Sequence, residues 1–421
     1  MSKRRKQYAA EKVDPPATAN HRSQFRGVAM RAAGVFLGIV LGLIGAEIGL
    51  RVMDIRPERY APPTWLGWDG ARFRHLAEFG GWGHGVYKNP SRFEALGVKM
   101  GEHIPGTRFR VEYATNPRGY FDENNGITYN INSHGLHGPE VDIKKPEGTF
   151  RILGIGDSFT FGQGVKETDT FLRRLEHSLN ASSRVAKQVE VLNVGVLGYN
   201  TRDEVVYLEH QWLEYDPDLV IISFYLNDAY SDYTFLNNGQ GLGVYGLPQG
   251  WAKYSFLLDL VRHTYRAKQT QKKLEKYYRQ HYFSDARETL EHPGALEVDW
   301  TVSRAALSHA VELSRQHGFR VALVIFPEFY HLDDRYPFAE IHELVRDEAT
   351  ALSMPVLDLM TIYRGKVDRE LWVHPSDHHP NERAHALAAV AIEQFLWDND
   401  LLQGATTNSD SYSTSDATGE E

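Results

Sequence analysis

Residues 218–224 read DLVIISF, and after the leading aspartate only Ser223 is polar. A strand without polar–apolar alternation is buried on both faces, which is the condition of a parallel strand covered by helices on either side. Short apolar runs at 150–153, 189–194, 320–326 and 355–359 are read as further strands. Helices are expected over 202–214, 302–317, 340–352 and 381–397. The last carries Ala384, Leu387, Ala388, Ala391, Ile392 and Phe395 at helical spacing. Strand and helix alternate, so the expected fold class is α/β with a doubly wound sheet.

The stretch 154–162, GIGDSFTFG, follows the first of these strands and precedes a helix-compatible segment at 166–179. Its glycines permit a sharp turn and keep bulk away from the Ser158 hydroxyl. Gly-Asp-Ser is also an ordinary turn, and by itself a short motif says little. Its position says more, because ligands of open α/β sheets bind at the carboxyl ends of the strands. Three other segments share that edge. Residues 193–201 (NVGVLGYNT) follow the second strand, 225–228 (YLND) the third, and 377–381 (DHHPN) precede the final helix.

A serine hydroxyl is inert at its own pKa and needs a base and a site for the developing oxyanion. His379 can take the Ser158 proton and return it to a leaving group. Asp377, on the same loop, can orient the imidazole. The backbone N–H of Ser158, that of Gly198 and the side-chain amide of Asn227 can donate to an oxyanion. Asp157 and Asp228 are expected to cap turns or helices, and His378 to face solvent. His374, Asp377, His378 and His379 also form a cluster that could bind zinc, although a triad accounts better for His379.

These four segments resemble the sequence blocks of GDSL-type hydrolases of the SGNH superfamily, which carry serine, glycine, asparagine and histidine. The resemblance covers about residues 149–401. It takes in the lead-in YNINSHGLHG (129–138), similar to a segment of membrane-anchored bacterial members. It implies a flavodoxin-like three-layer α/β/α fold with five central parallel strands. It also implies ester hydrolysis or acyl transfer with no metal and no cofactor. The family glycine lies five residues beyond the block's asparagine, which favours Gly198 over Gly195 as the oxyanion donor. Two positions depart from the pattern. Tyr225 stands where the third block has glycine. The fourth block has Asp-x-x-His, but Ser376 is three before His379 and the carboxylate, Asp377, is two before. Some related polysaccharide acetyl-transferring and acetyl-removing proteins share that shorter spacing.

Upstream, residues 1–31 are polar and basic, with Lys3, Arg4, Arg5, Lys6, Lys12, Arg22, Arg26 and Arg31. Residues 32–50, AAGVFLGIVLGLIGAEIGL, are apolar except for Glu47, close to the ~20 residues a bilayer span needs. A buried core helix or a cleaved signal peptide would share this composition. The long basic leader, and Glu47 paired with Arg51 at helical spacing, favour an uncleaved anchor. The basic flank comes first, so the N-terminus is expected in the cytoplasm and the rest outside, in the periplasm of a Gram-negative cell.

The expected organisation is a leader (1–31), a transmembrane helix (32–52), a β-rich lead-in (57–146) and a hydrolase domain (149–403). A helical insertion at about 230–299 is read as a lid or an oligomerisation bracket, and a polar tail (404–421) as disordered. The net charge of -9 and the absence of a basic stripe argue against a nucleic-acid partner. Zero cysteines exclude disulfides and thiol catalysis. The substrate is expected to be an ester-bearing polysaccharide, with a lipid or lysophospholipid as the alternative. A carbohydrate-binding or assembly protein that keeps the fold without the activity is the reading from another class. The intact Ser158, Gly198, Asn227 and His379 argue against it, and the irregular carboxylate spacing argues for it.

Overall fold

A computed structural model describes residues 19–57, 61, 63–67, 72–73, 86, 93–98, 101–229, 250–283 and 299–406. They form two compact units, one drawn from Met1–Glu58 and Leu247–Tyr265, the other from Arg59–Gly246 and Arg266–Glu421.

The first unit holds α1 (Ala19–Val52), 34 residues long. Its stretch Arg26–Val52 has a mean hydropathy of 2.1 and is a candidate membrane span or signal sequence by length and composition. Side chains such as Phe36, Ile39 and Leu43 are exposed, so this apolar helix has no protein core of its own. It starts before the expected 32–52, because 19–31 has no proline to break it. Residues 1–18 of the leader lie outside the described residues.

The second unit opens with an antiparallel sheet in the order β2-β1-β3-β4, formed by β1 (Thr64–Leu66), β2 (Arg72–Phe73), β3 (Arg108–Glu112) and β4 (Gly126–Asn130). Phe109 pairs with Tyr129 and Val111 with Ile127, all buried, while Arg108 and Arg110 alternate outward. That alternation gives the sheet one apolar face.

The central sheet has five parallel strands in the order β6-β5-β7-β8-β9: β5 (Thr149–Gly156), β6 (Gln188–Asn193), β7 (Leu219–Phe224), β8 (Arg320–Ile325) and β9 (Val356–Asp358). Every residue of β5 and β7 is buried; β7 is apolar but for Ser223, and in β5 the buried Arg151 guanidinium is paired with Glu190 and donates to the Asp142, Ile143 and Tyr215 carbonyls. Among the described residues the further helices are α2 (Ser158–Phe161), α3 (Phe171–Ala181), α4 (Thr201–His210), α5 (Phe256–Tyr282), α6 (Trp300–His317), α7 (Ala339–Ala351), α8 (Met360–Tyr363) and α9 (Glu382–Asp398). The chain leaves β5 for β6 on one side, then returns to β7 on the other. Right-handed connections running in opposite directions put their helices on opposite faces of the sheet. The reversal is a topological switch point, and it falls at the carboxyl end of β5, where Ser158 stands.

Local side chains set several boundaries. The helix expected from 166 starts at Phe171, because Thr170 accepts the Arg173 N–H as its N-cap. The helix expected over 202–214 gives way after His210 to a 3-10 turn, Trp212–Tyr215. Of the insertion at 230–299, α5 and its approach are described; 230–249 and 284–298 lie outside the described residues. The body continues to Thr406, with the Ala405 carbonyl accepting from the N–H groups of Ala186 and Lys187 at 2.8 and 3.2 Å. The tail from 407 lies outside the described residues.

Candidate active site

Strand β5 ends on Gly156, whose φ of +157° brings the turn back against Thr160. A Cβ there would lie 2.0 Å from Thr160 Oγ1, so only glycine fits. Asp157 caps α2 by accepting the Phe159 N–H at 2.9 Å. Ser158 is therefore the first residue of the helix, where backbone N–H groups have no partner within the helix. Gly195, after β6, lies so close that a Cβ would sit 2.5 Å from Phe161 N. The first two segments thus pack backbone against backbone.

The fourth segment is a hairpin of β10 (Trp372–His374) and β11 (Asp377–Pro380). Residues two apart on a strand point to the same side. This is why the short Asp-x-His spacing works: Asp377 Oδ1 lies 2.5 Å from His379 Nδ1 and accepts the His379 N–H at 3.2 Å. His379 Nε2 lies 2.8 Å from Ser158 Oγ. Ser376, at the usual family position, turns away and bonds His374 Nδ1 at 2.7 Å. The other Asp377 oxygen, Oδ2, accepts from Tyr113 Oη at 2.7 Å and Gln163 Nε2 at 3.0 Å. Tyr113 directly follows β3, so the lead-in sheet reaches the aspartate. That sheet also packs beneath the serine's helix. The Phe161 ring meets those of Phe109, Tyr129 and His137 at 5.9, 5.0 and 4.2 Å.

Burial alone would raise the Asp377 pKa. The His379 charge, with hydrogen bonds from His379, Gln163 and Tyr113, outweighs it and holds the carboxyl below the usual range. Burial disfavours the charged form of His379, but the Asp377 charge and hydrogen bond, helped by Asp157 and Glu328, raise its pKa above the ordinary 6.5. A base must be neutral to accept a proton, so a raised pKa moves the loss of activity toward higher pH. The acid limb of kcat/KM on a neutral nitrophenyl ester is therefore expected to have its midpoint above 6.5. A pH–rate profile with its midpoint below 6.5 would show that Asp377 does not govern the base.

Asn227 lies in a 3-10 turn, Leu226–Ala229, just after β7. One N–H of its amide donates to Asp157 Oδ2 at 2.7 Å, which fixes the amide's orientation beside the serine. Asp228 accepts the Tyr225 N–H at 2.5 Å, closing the turn. Beneath it lies Glu204 of α4, fully buried; burial and the neighbouring negative charges push both carboxyls well above their usual range. Gly198 has a φ of +85°, and its loop is pinned by the Val196 N–H on Gly156 O at 3.0 Å. The N–H of Gly195 is committed to Asn193 Oδ1 at 3.0 Å.

Tyr225, the departure in the third block, stacks on Phe159 at 4.0 Å, and Phe159 meets the His379 ring at 5.3 Å. The Tyr225 hydroxyl donates to Glu328, whose carboxyl is raised by burial. The histidine cluster diverges. His374 bonds Ser376 and, at 3.0 Å, Thr115. His378, expected to face solvent, stacks on Trp372 at 3.8 Å instead, and burial lowers its pKa to about 4. Among the described residues, no group of three or more His, Asp or Glu side chains is arranged to hold a metal ion. Tyr113, Gln163, Glu204 and Glu328 were not singled out in the sequence. Gln163 carried the clearest signal, one residue past the motif's last glycine.

Fold and site together define an α/β enzyme with a serine, a histidine and a carboxylate in hydrogen-bonded line. Residues 155–387, just over half of the chain, match the model of the GDSL-like Lipase/Acylhydrolase family. The chain belongs to this family and is a hydrolase of ester bonds. No curated protein sequence matches it. Solved structures similar to it include LAE5, an alpha/beta hydrolase enzyme from the metagenome of Lake Arreo, Spain. That match is 16 % identical over 60 % of this chain and 96 % of its own, with a TM-score of 0.37. A lipase/acylhydrolase from Enterococcus faecalis is 16 % identical over 59 % and 96 %, at 0.35. A catalytic mutant of an acetylxylan esterase from Geobacillus stearothermophilus is 17 % identical over 59 % and 94 %, at 0.36.

Proposed function

We propose that this chain is a membrane-anchored, extracytoplasmic serine esterase or O-acyl transferase, acting on acetyl or other small acyl esters of a polysaccharide. The observation that carries the chemistry is the line from Asp377 through His379 to Ser158, at 2.5 and 2.8 Å. Ser158 Oγ attacks the ester carbonyl while His379 Nε2 takes its proton. The N–H groups of Ser158 and Gly198, and the second N–H of the Asn227 amide, stabilise the oxyanion. Collapse breaks the bond to the sugar oxygen, which leaves with the proton from His379, and the acyl group stays on Ser158. Water, or a second sugar hydroxyl, then attacks with His379 again as base. It releases the acid or a new ester and restores the serine. Asp377 stays ionised and steadies the imidazolium.

Location supports the substrate class. The apolar stretch of α1 follows a basic leader, which by the positive-inside rule leaves the body outside the cytoplasm, on the side of cell-surface and secreted polysaccharide. The test is the intact mass of the full chain in detergent after exposure to a fluorophosphonate serine probe. One adduct is expected, mapping to Ser158 and suppressed in His379→Ala. A folded protein that takes no adduct would sink the acyl-serine reading.

A further inference from the structure

The structure carries a second apolar surface besides α1. Just before α5, Trp251 and Tyr254 are 82 and 73 % exposed; within its first three turns, Leu258, Val261 and Tyr265 are 50, 59 and 64 % exposed. Positions 254, 258, 261 and 265 follow one another at intervals of four, three and four, so the helical ones form a single stripe. Asp259 and His263 belong to the other side; Asp259 is buried, and His263 is half-buried. Arg262 borders the stripe on one side and exposed Lys268 on the other. Farther along the same helix the pattern changes, and Leu274, Tyr278 and Tyr282 are buried.

The stripe is tied to the end of α1. Glu47, the one acid in the apolar stretch, accepts the N–H groups of Phe256 and Leu257 at 3.0 and 2.9 Å and the Ser255 hydroxyl at 2.8 Å. It thereby satisfies the first turn of α5, whose N–H groups have no partner within that helix. Arg51 closes the joint, donating to Glu47 Oε1 at 2.7 Å and to the Tyr254 carbonyl at 2.5 Å. Arg51 and Arg56 both lie over the Phe256 ring, at 4.9 and 4.6 Å. Glu47, Arg51 and the start of α5 thus form one knot at the carboxyl end of the candidate span.

We propose that residues 251–265 are a second membrane-contacting element: an interfacial segment whose Trp251, Tyr254, Leu258, Val261 and Tyr265 enter the lipid headgroup region beside α1. The proposal rests on the anchor reading above. Lipid is the occupant because the stripe is continuous, through the Glu47 knot, with a helix whose own apolar residues need a bilayer. The composition agrees, since tryptophan and tyrosine settle at the membrane–water boundary. Flanking arginine and lysine can lay their stems along the apolar region and keep their charges among the headgroups. The consequence is that Glu47 holds the start of α5 to the membrane.

The chain has no cysteine, so single cysteines report without background. Leu258→Cys and Val261→Cys would carry a nitroxide in full-length protein reconstituted in phosphatidylcholine–phosphatidylglycerol vesicles. Leu41→Cys reports on the span, and Val390→Cys, on the exposed side of α9, reports on water. Collisions with oxygen, which concentrates in lipid, are compared with those of a water-soluble nickel complex. The expected result is a severalfold preference for oxygen at 258 and 261 over 390, with 41 showing the largest. Labels at 258 and 261 that match 390 while 41 is in lipid would overturn this proposal and leave the anchor standing. Spin–spin broadening at 258 that grows with protein density would also overturn it, by assigning the stripe to a second copy of the chain. If 41 is itself in water, the anchor reading fails and takes this one with it.

Discussion

Ser158→Ala is expected to lower kcat on a small ester on the order of a millionfold, with stability changed by less than about 1 kcal/mol. The first half follows from the line of hydrogen bonds. The alanine variant keeps the substrate site and the oxyanion donors but has no atom to carry the acyl group, and His379 has no proton to move. The second half follows from how little else the hydroxyl does. Among the described residues its other hydrogen bond is a long one, 3.3 Å, to Asp157. The helix start it occupies is fixed by the Asp157 cap and by Gly156, neither of which needs the hydroxyl. His379 keeps 21 % of its side chain exposed, so water can replace the lost partner. His379→Ala should cost about as much, and the double variant no more than either, because residues that act as a unit are not additive. Rates and melting curves for the three variants check this. Turnover within a hundredfold of the parent in Ser158→Ala would mean that another group carries the chemistry.

Much of the fold was legible because unbroken apolar runs and glycine turns are local signals. The strand at 218–224 could be read from its lack of alternation, and Ser158 from its place after such a strand. Less legible were the features that depend on distant chain. Nothing near Tyr113 announces that its hydroxyl reaches Asp377, 264 positions on. The glycines, prolines and aromatics of the lead-in point to a β-rich piece packed on the main domain, but they do not say that its aromatic face lies against Phe161 of the serine's helix. The Asp-x-His spacing looked irregular because the pattern expected was one for a loop. On the strand Asp377–Pro380, two residues is the interval that puts both side chains on one side. The stripe before and within α5 was hidden by its charges. The basic run 268–279 follows the stripe on the same helix and dilutes its apolar signal.

Asp377→Asn is expected to reduce kcat roughly ten-thousandfold, and Tyr113→Phe roughly ten- to a hundredfold, the range of a lost charge-assisted hydrogen bond of about 1.5–3 kcal/mol. The asparagine removes the charge that stabilises the imidazolium, and its amide can hold the ring in the wrong tautomer. The phenylalanine leaves the charge in place. Burial pushes the Tyr113 phenol well above its usual range, so in the parent it stays protonated and always donates. Without it, Asp377 Oδ2 keeps Gln163 alone among the described residues, and the carboxylate becomes a stronger base. A more basic carboxylate pulls harder on the imidazole proton, so the His379 pKa rises further. The acid limb of the rate profile should therefore move to higher pH in Tyr113→Phe, with KM unchanged because the buried phenol is bonded to Asp377, which meets His379 at the ring nitrogen away from Ser158. Loss of packing alone would lower the melting temperature and leave the limb where it was. The two variants thus separate a residue that orients the aspartate from one that only fills space. They also bear on the lead-in. A chain starting at Thr149 would retain all of residues 155–387 that match the family yet lack Tyr113. If Tyr113→Phe behaves as expected, the lead-in is part of the catalytic apparatus; an unshifted limb and unchanged kcat would make it packing.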